Sequence, residues 1–139
     1  MRRSVAAALV IAACATCAAC ASEEPDTGPG PTVAVIRVGD RQGPMETYRI
    51  QLATPELVDH ARQLLEGEDL PAIPIGKIVR GSPSVNEPWS WHIDPATIDF
   101  VDLTMAGCDG LPSSVEDGSL TSEFYCPWSA KVTAVETQT

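Results

Sequence analysis

"TVAVIRVGDRQGPMETYRIQLATPELVDHARQLLEG", Thr32 to Gly67, sets the fold class. Apolar and polar residues alternate through its first part, and the β-branched side chains suit a strand at about Val33 to Val38. The Gly39–Pro44 stretch is a turn. Tyr48, Ile50 and Leu52 then share one face of a second strand, so a hairpin is expected. After Ala53 the period changes. Thr54 is an N-cap, Pro55 takes the first helical position and Glu56 lies in the first turn. Leu57, Val58, Ala61, Leu64 and Leu65 recur at helical spacing until Gly67 stops the run.

The rest of the chain adds strands rather than helices. Pro71 and Pro74 mark an extended entry to a strand at Ile75 to Val79, which Gly81 and Pro83 close. "WSWHI" (Trp89 to Ile93) and "TIDFVDLTM" (Thr97 to Met105) read as two more strands, and "AKVTAVE" (Ala130 to Glu136) as the last. Between them lies a loop-rich stretch with one helical turn at Ser114 to Asp117. The expected fold is α+β: a small, mostly antiparallel sheet, one main helix packed on a face, and one disulfide-closed loop.

The first residues read as an export signal. Arg2 and Arg3 precede an uncharged Ala/Val/Leu/Ile run that ends in small residues and cysteines, an order that is directional and too short to span a membrane. Cys20, or alternatively Cys14, has the context of a lipidated cysteine. "ASEEPDTGPGP" then follows, polar and rich in Pro and Gly, and cannot bury enough apolar surface to order itself. The expected organisation is a signal over 1–20, a tether over 21–31 and one domain over 32–139. Lipid anchoring at the outer surface of a bacterial cell membrane, or secretion, is the expected destination.

The net charge of −10 argues against nucleic acid, whose phosphates need a basic surface. Three of the five cysteines lie in the signal region. Cys108 and Cys126 remain, an even pair that reads as one disulfide in an exported chain, worth about 3 kcal/mol in the chain-entropy model. A free catalytic thiol at Cys126 is the alternative.

Chemistry-bearing residues concentrate in "NEPWSWHIDP", Asn86 to Pro95. On a strand, Trp89, Trp91 and Ile93 share one face, and Ser90, His92 and Asp94 share the other. The indoles suit core packing, with Trp91 expected against Leu57, Ala61 and Leu64. His92 is expected to bond Asp94, Asp99 or a backbone carbonyl. His92 and Asp94 together have the types needed for a general base or a metal set, with Asp99, Asp102 or Asp109 added. A nucleophile would be Ser90, Ser129 or Cys126, none of them in a recognisable elbow. Pro88-Trp89-Ser90 recurs as Pro127-Trp128-Ser129, so two restrained indoles are candidates to flank a sugar or peptide groove.

"VNEPWSWHIDPATIDFVDLTMAGCDGLPSSVE" with "FYCPWSAKV" resembles the N-terminal domain of slime-mould cAMP-inducible prespore proteins, found also in small exported bacterial proteins, some labelled calmodulin-like. The resemblance rests on Asn86, Trp89, Trp91, His92, Asp94 and Pro95, then Cys108-Asp109, then Cys126 to Ser129. Family members read E-x-C-D where this chain has Ala106-Gly107-Cys108-Asp109, so a site using that acid is lost here. The resemblance implies an exported, disulfide-linked domain and no settled activity. Loops begun at Asp94, Asp99, Asp109 or Asp117 do not fit the calcium pattern of an EF-hand. The expected function is a non-catalytic binding module for a protein, peptide or carbohydrate, with no cofactor. Ligand-binding candidates are Asn86, Trp89, Trp91, His92, Asp94, Asp109 and Trp128. The alternative is a hydrolase, metal-dependent or built on His92 and Asp94.

Overall fold

The structure is a computed structural model, and it describes residues 28–139; the expected signal and most of the expected tether lie outside them. The hairpin forms as the alternation predicts. β1 (Thr32–Val38) pairs antiparallel with β2 (Glu46–Gln51), Ile36 opposite Tyr48 and Ala34 opposite Ile50. α1 (Pro55–Leu65) starts where the Thr54 hydroxyl accepts the Leu57 N–H at 3.3 Å. The chain then builds β3 (Ile73–Arg80), β4 (Trp91–Ile93), β5 (Asp99–Val101), α2 (Pro112–Glu116), β6 (Phe124–Tyr125) and β7 (Lys131–Thr137).

The class is α+β with antiparallel pairing, as expected, and among the described residues the strands divide between two sheets. The first has the order β2-β1-β7, so the last strand closes against the first, with a bulge between Val35 and Ile36. The second is organised on β3. Its C-terminal half pairs with β4 (Val79 opposite His92), its N-terminal half with β5 (Pro74 opposite Phe100) and its middle with β6 (Gly76 opposite Tyr125). The stretch read as one strand from Thr97 to Met105 is strand only at β5. A 3-10 turn at Pro95–Thr97 separates β5 from β4, and a second lies at Ala106–Cys108.

The core lies between the sheets. Ala34, Ile36, Val38, Tyr48 and Ile50 form the inner face of the first sheet and join one cluster with Ala61 of α1 and with Trp91, Ile93, Phe100 and Tyr125 of the second. Gly76 lets the second sheet close up, since a Cβ there would collide with an Ile93 methyl. The helix lies against β7 and β1, and its Leu57, Ala61 and Leu64 belong to or pack on the cluster that also holds Trp91. Trp91 also meets Tyr48, Trp89 and Tyr125, with ring centroids at 5.8, 6.3 and 5.7 Å. His60 ties α1 to the second sheet by stacking on Phe100 at 4.8 Å.

Polar side chains fasten the rest. Glu46 accepts the Ser113 N–H at 2.7 Å and so caps α2 from β2. The Arg80 guanidinium donates to the carbonyls of Val115 and Leu120. Cys108 and Cys126 are joined by the expected disulfide, so Cys126 is no free thiol. The Cys126 N–H also donates to the Cys108 carbonyl at 2.8 Å.

Burial pushes the Tyr48 hydroxyl far above its ordinary pKa. Tyr125 moves the same way, through burial first and then neighbouring acidic groups. Both stay protonated in the fold, whereas in the unfolded chain a tyrosine ionises near pH ~10. Above that pH the unfolded state holds fewer protons than the native state. Stability is therefore intact below about pH 10 and falls above it by about 1.4 kcal/mol per pH unit per tyrosine. Urea titrations from about pH 8 to about pH 11.5 should show this decline, and Tyr48→Phe should halve its slope; a flat series would contradict it.

Candidate functional site

The tryptophan-rich stretch divides into struts and core. Asn86 is 0% exposed, and both ends of its amide are used. Its Oδ1 accepts the Arg49 N–H of β2 at 2.7 Å, and its Nδ2 donates to the Trp91 carbonyl of β4 at 2.9 Å. Trp89 precedes β4 instead of belonging to it, because residues 83–90 form turns in which the Trp89 N–H donates to the Asn86 carbonyl. Its indole donates to the Thr47 carbonyl of β2 at 2.8 Å. Together Asn86 and Trp89 occupy outward backbone groups of an edge strand, the positions a neighbouring strand would fill. Trp91 is the deepest indole, and its Nε1 has no partner among the described residues.

The polar face has no common centre. His92 is half-buried, and its Nδ1 lies 2.5 Å from the Ser82 carbonyl, one of the expected kinds of partner. Asp94 accepts the Ala96 N–H at 3.0 Å and caps the 3-10 turn. Asp99 accepts the Phe100 N–H at 2.8 Å. Ser90 donates to Glu116 at 3.0 Å, and Ser129 accepts the Gly39 N–H at 2.9 Å. Asp109 accepts the Trp128 N–H at 2.8 Å. Each of these groups thus has its own local partner. No group of three or more His, Cys, Asp or Glu among the described residues is placed to hold a metal ion.

The two Pro-Trp-Ser copies serve different ends. Trp89 leans on Trp91, whereas Trp128 is half exposed and its indole N–H donates to the Thr104 hydroxyl. Around Trp128 lies a surface that the candidate residues did not anticipate. Side chains of β3 alternate: Pro74 and Gly76 face inward, and Ile73 and Ile75 face out. Phe124 joins this outer face from β6, and the chain after β5 brings Leu103 and Met105 beside it. Leu103 is 88% exposed, Met105 81%, Trp128 50% and Phe124 41%.

Two adjoining hollows open here. One, of about 220 Å³, is lined by Ile73, Asp102, Leu103, Thr104 and Trp128. The other, of about 350 Å³, lies among Ile75, Leu103, Met105, Cys108 and Phe124. The usual outer face of an antiparallel sheet is polar; this one carries Lys77 but is otherwise rich in large apolar side chains. Leu103 and Met105 alternate just beyond the end of β5, a pattern that in the sequence alone reads equally as buried strand.

The family model described as the BP-74 N-terminal domain matches residues 32–139, in agreement with the tryptophan and cysteine motifs. No curated protein matches the chain. No solved structure matches it.

Replacing Asn86 with Ala leaves the Arg49 N–H and the Trp91 carbonyl unpaired and should cost about 2–4 kcal/mol in urea denaturation. His92→Gln should cost under about 1 kcal/mol. Asn86→Asp should recover part of the loss only in acid, where a protonated carboxyl again donates to Trp91. Equal stability of Asn86→Ala and the parent would remove the clamp from the account.

Proposed function

We propose that this chain, which belongs to the BP-74 N-terminal domain family, is a non-catalytic interaction module that docks a partner on the outer face of its second sheet. One observation carries the reading: four large apolar side chains, Leu103, Met105, Phe124 and Trp128, are exposed together around two hollows. Single exposed apolar residues are ordinary; a contiguous group of this size beside rigid elements is the mark of a contact surface. The surroundings are well anchored. Cys108 is fixed by the disulfide, the Trp128 indole donates to Thr104 while its backbone N–H donates to Asp109, and β6 is paired with β3.

The module is exported and lipid-tethered in this reading. Its support is the order of the first residues, Arg2-Arg3 then an apolar run then Cys20, followed by the Pro/Gly-rich segment. Geometry is consistent with a tether. The domain begins at Thr32, opposite Thr137, whereas Ser129 bonds Gly39 beyond the other end of β1. Trp128 therefore stands about 20 Å along the strand from the point of entry, at the end of β1 away from the tether.

Leu103→Asp and Phe124→Asp should each leave the thermal melt within about 0.5 kcal/mol of the parent. Together they should abolish binding of an apolar dye such as ANS to the native protein. Unchanged dye binding would displace the docking face. Palmitate labelling in cells should disappear in the Cys14→Ala/Cys20→Ala double variant; persistence of the label would overturn the lipid tether.

A further inference from the structure

The acidic rim of this face selects its occupant. We infer that the partner is an extended peptide segment bearing alternate apolar side chains flanked by lysine or arginine, an inference that rests on the docking reading above. The two hollows share Leu103 and Thr104 as a common wall. A chain in extended conformation projects every second side chain to the same side, about 7 Å apart, so neighbouring hollows suit residues i and i+2 of one strand. The lining is chiefly aliphatic and aromatic. The hydroxyl of Thr104, one of its few polar groups, is already engaged by the Trp128 indole. A sugar, which needs directional partners for its hydroxyls, finds few here.

Charge supplies the second selection. Asp102 lines the smaller hollow, exposed Asp99 lies opposite Ile75 in the β3–β5 register, and exposed Glu123 precedes Phe124 in the chain. The side-chain carboxylates of Asp102 and Glu123 have no hydrogen bond or ion pair among the described residues. Lys77, opposite Phe124 in the β3–β6 register, sets one cation against these three carboxylates. Carboxylates bordering an apolar surface favour cationic residues on the partner and disfavour anionic membranes.

The test uses three synthetic nonapeptides with the same central Leu-Thr-Phe, flanked by lysines, serines or glutamates. Binding is followed by NMR on the Trp128 indole N–H resonance of the full domain. The lysine-flanked peptide should bind at least about tenfold more tightly than the glutamate-flanked one at low salt, and the gap should close near 1 M salt. Asp102→Lys combined with Glu123→Lys should reverse the order. Equal binding of all three peptides, still lost in Leu103→Asp, would overturn the charge rule and leave the docking face intact. If no peptide moves the Trp128 resonance, or if anionic vesicles or an oligosaccharide move it instead, the peptide inference is overturned.

Discussion

The amide of Asn86 accepts from the Arg49 N–H and donates to the Trp91 carbonyl, and through those two bonds it joins one sheet to the other. Edge strand β2 needs partners for its outward groups, and β4 needs a fixed distance from β2 for the Tyr48–Trp91–Tyr125 cluster to close. One buried side chain meets both needs. An amide suits the position because it holds a donor and an acceptor a fixed distance apart without charge, whereas a carboxylate would present oxygen to the Trp91 oxygen. Trp89 strengthens the same seam from outside by donating to Thr47.

The device recurs along other edges. The outward N–H of Phe100 in β5 is taken by the Asp99 carboxylate, and that of Phe124 in β6 by the Ser122 hydroxyl. Short strands whose free donors are covered by nearby side chains make poor templates for a further strand. That leaves the exposed apolar groups on the face of the second sheet, rather than those edges, as the place for the docking proposed above.

The hairpin and α1 are legible in the sequence because their signals are local: alternation over six residues, then Thr54-Pro55-Glu56 and a helical period. The division into two sheets is not. Which strands pair with β3 depends on contacts far apart in the chain, and β6 is too short to show a period. Alternation with Trp91 and Ile93 makes Trp89 look like strand, whereas the turns set by residues 83–90 begin the strand two residues later. The disulfide is legible from cysteine count. The apolar face is not, since Leu103 and Met105 have the same pattern whether a core covers them or water does. Asn86 enters the sequence reading as a ligand candidate through resemblance, and its burial gives it a structural task that no local pattern announces.

The pairing of β1 with β7 also fixes when the domain can fold. The first strand has its second neighbour only once residues Lys131–Thr137 are available, so the inner face carrying Ala34 and Ile36 stays incompletely covered until nearly the whole chain is present. Contacts that span the full length are slow to form, because the closure entropy of a long loop is lost before the contacts compensate for it. A chain emerging from its N-terminus therefore remains unfolded until late. Under the export proposed above, that delay would suit a translocation channel, which admits an unfolded polypeptide and is blocked by a domain that has already closed.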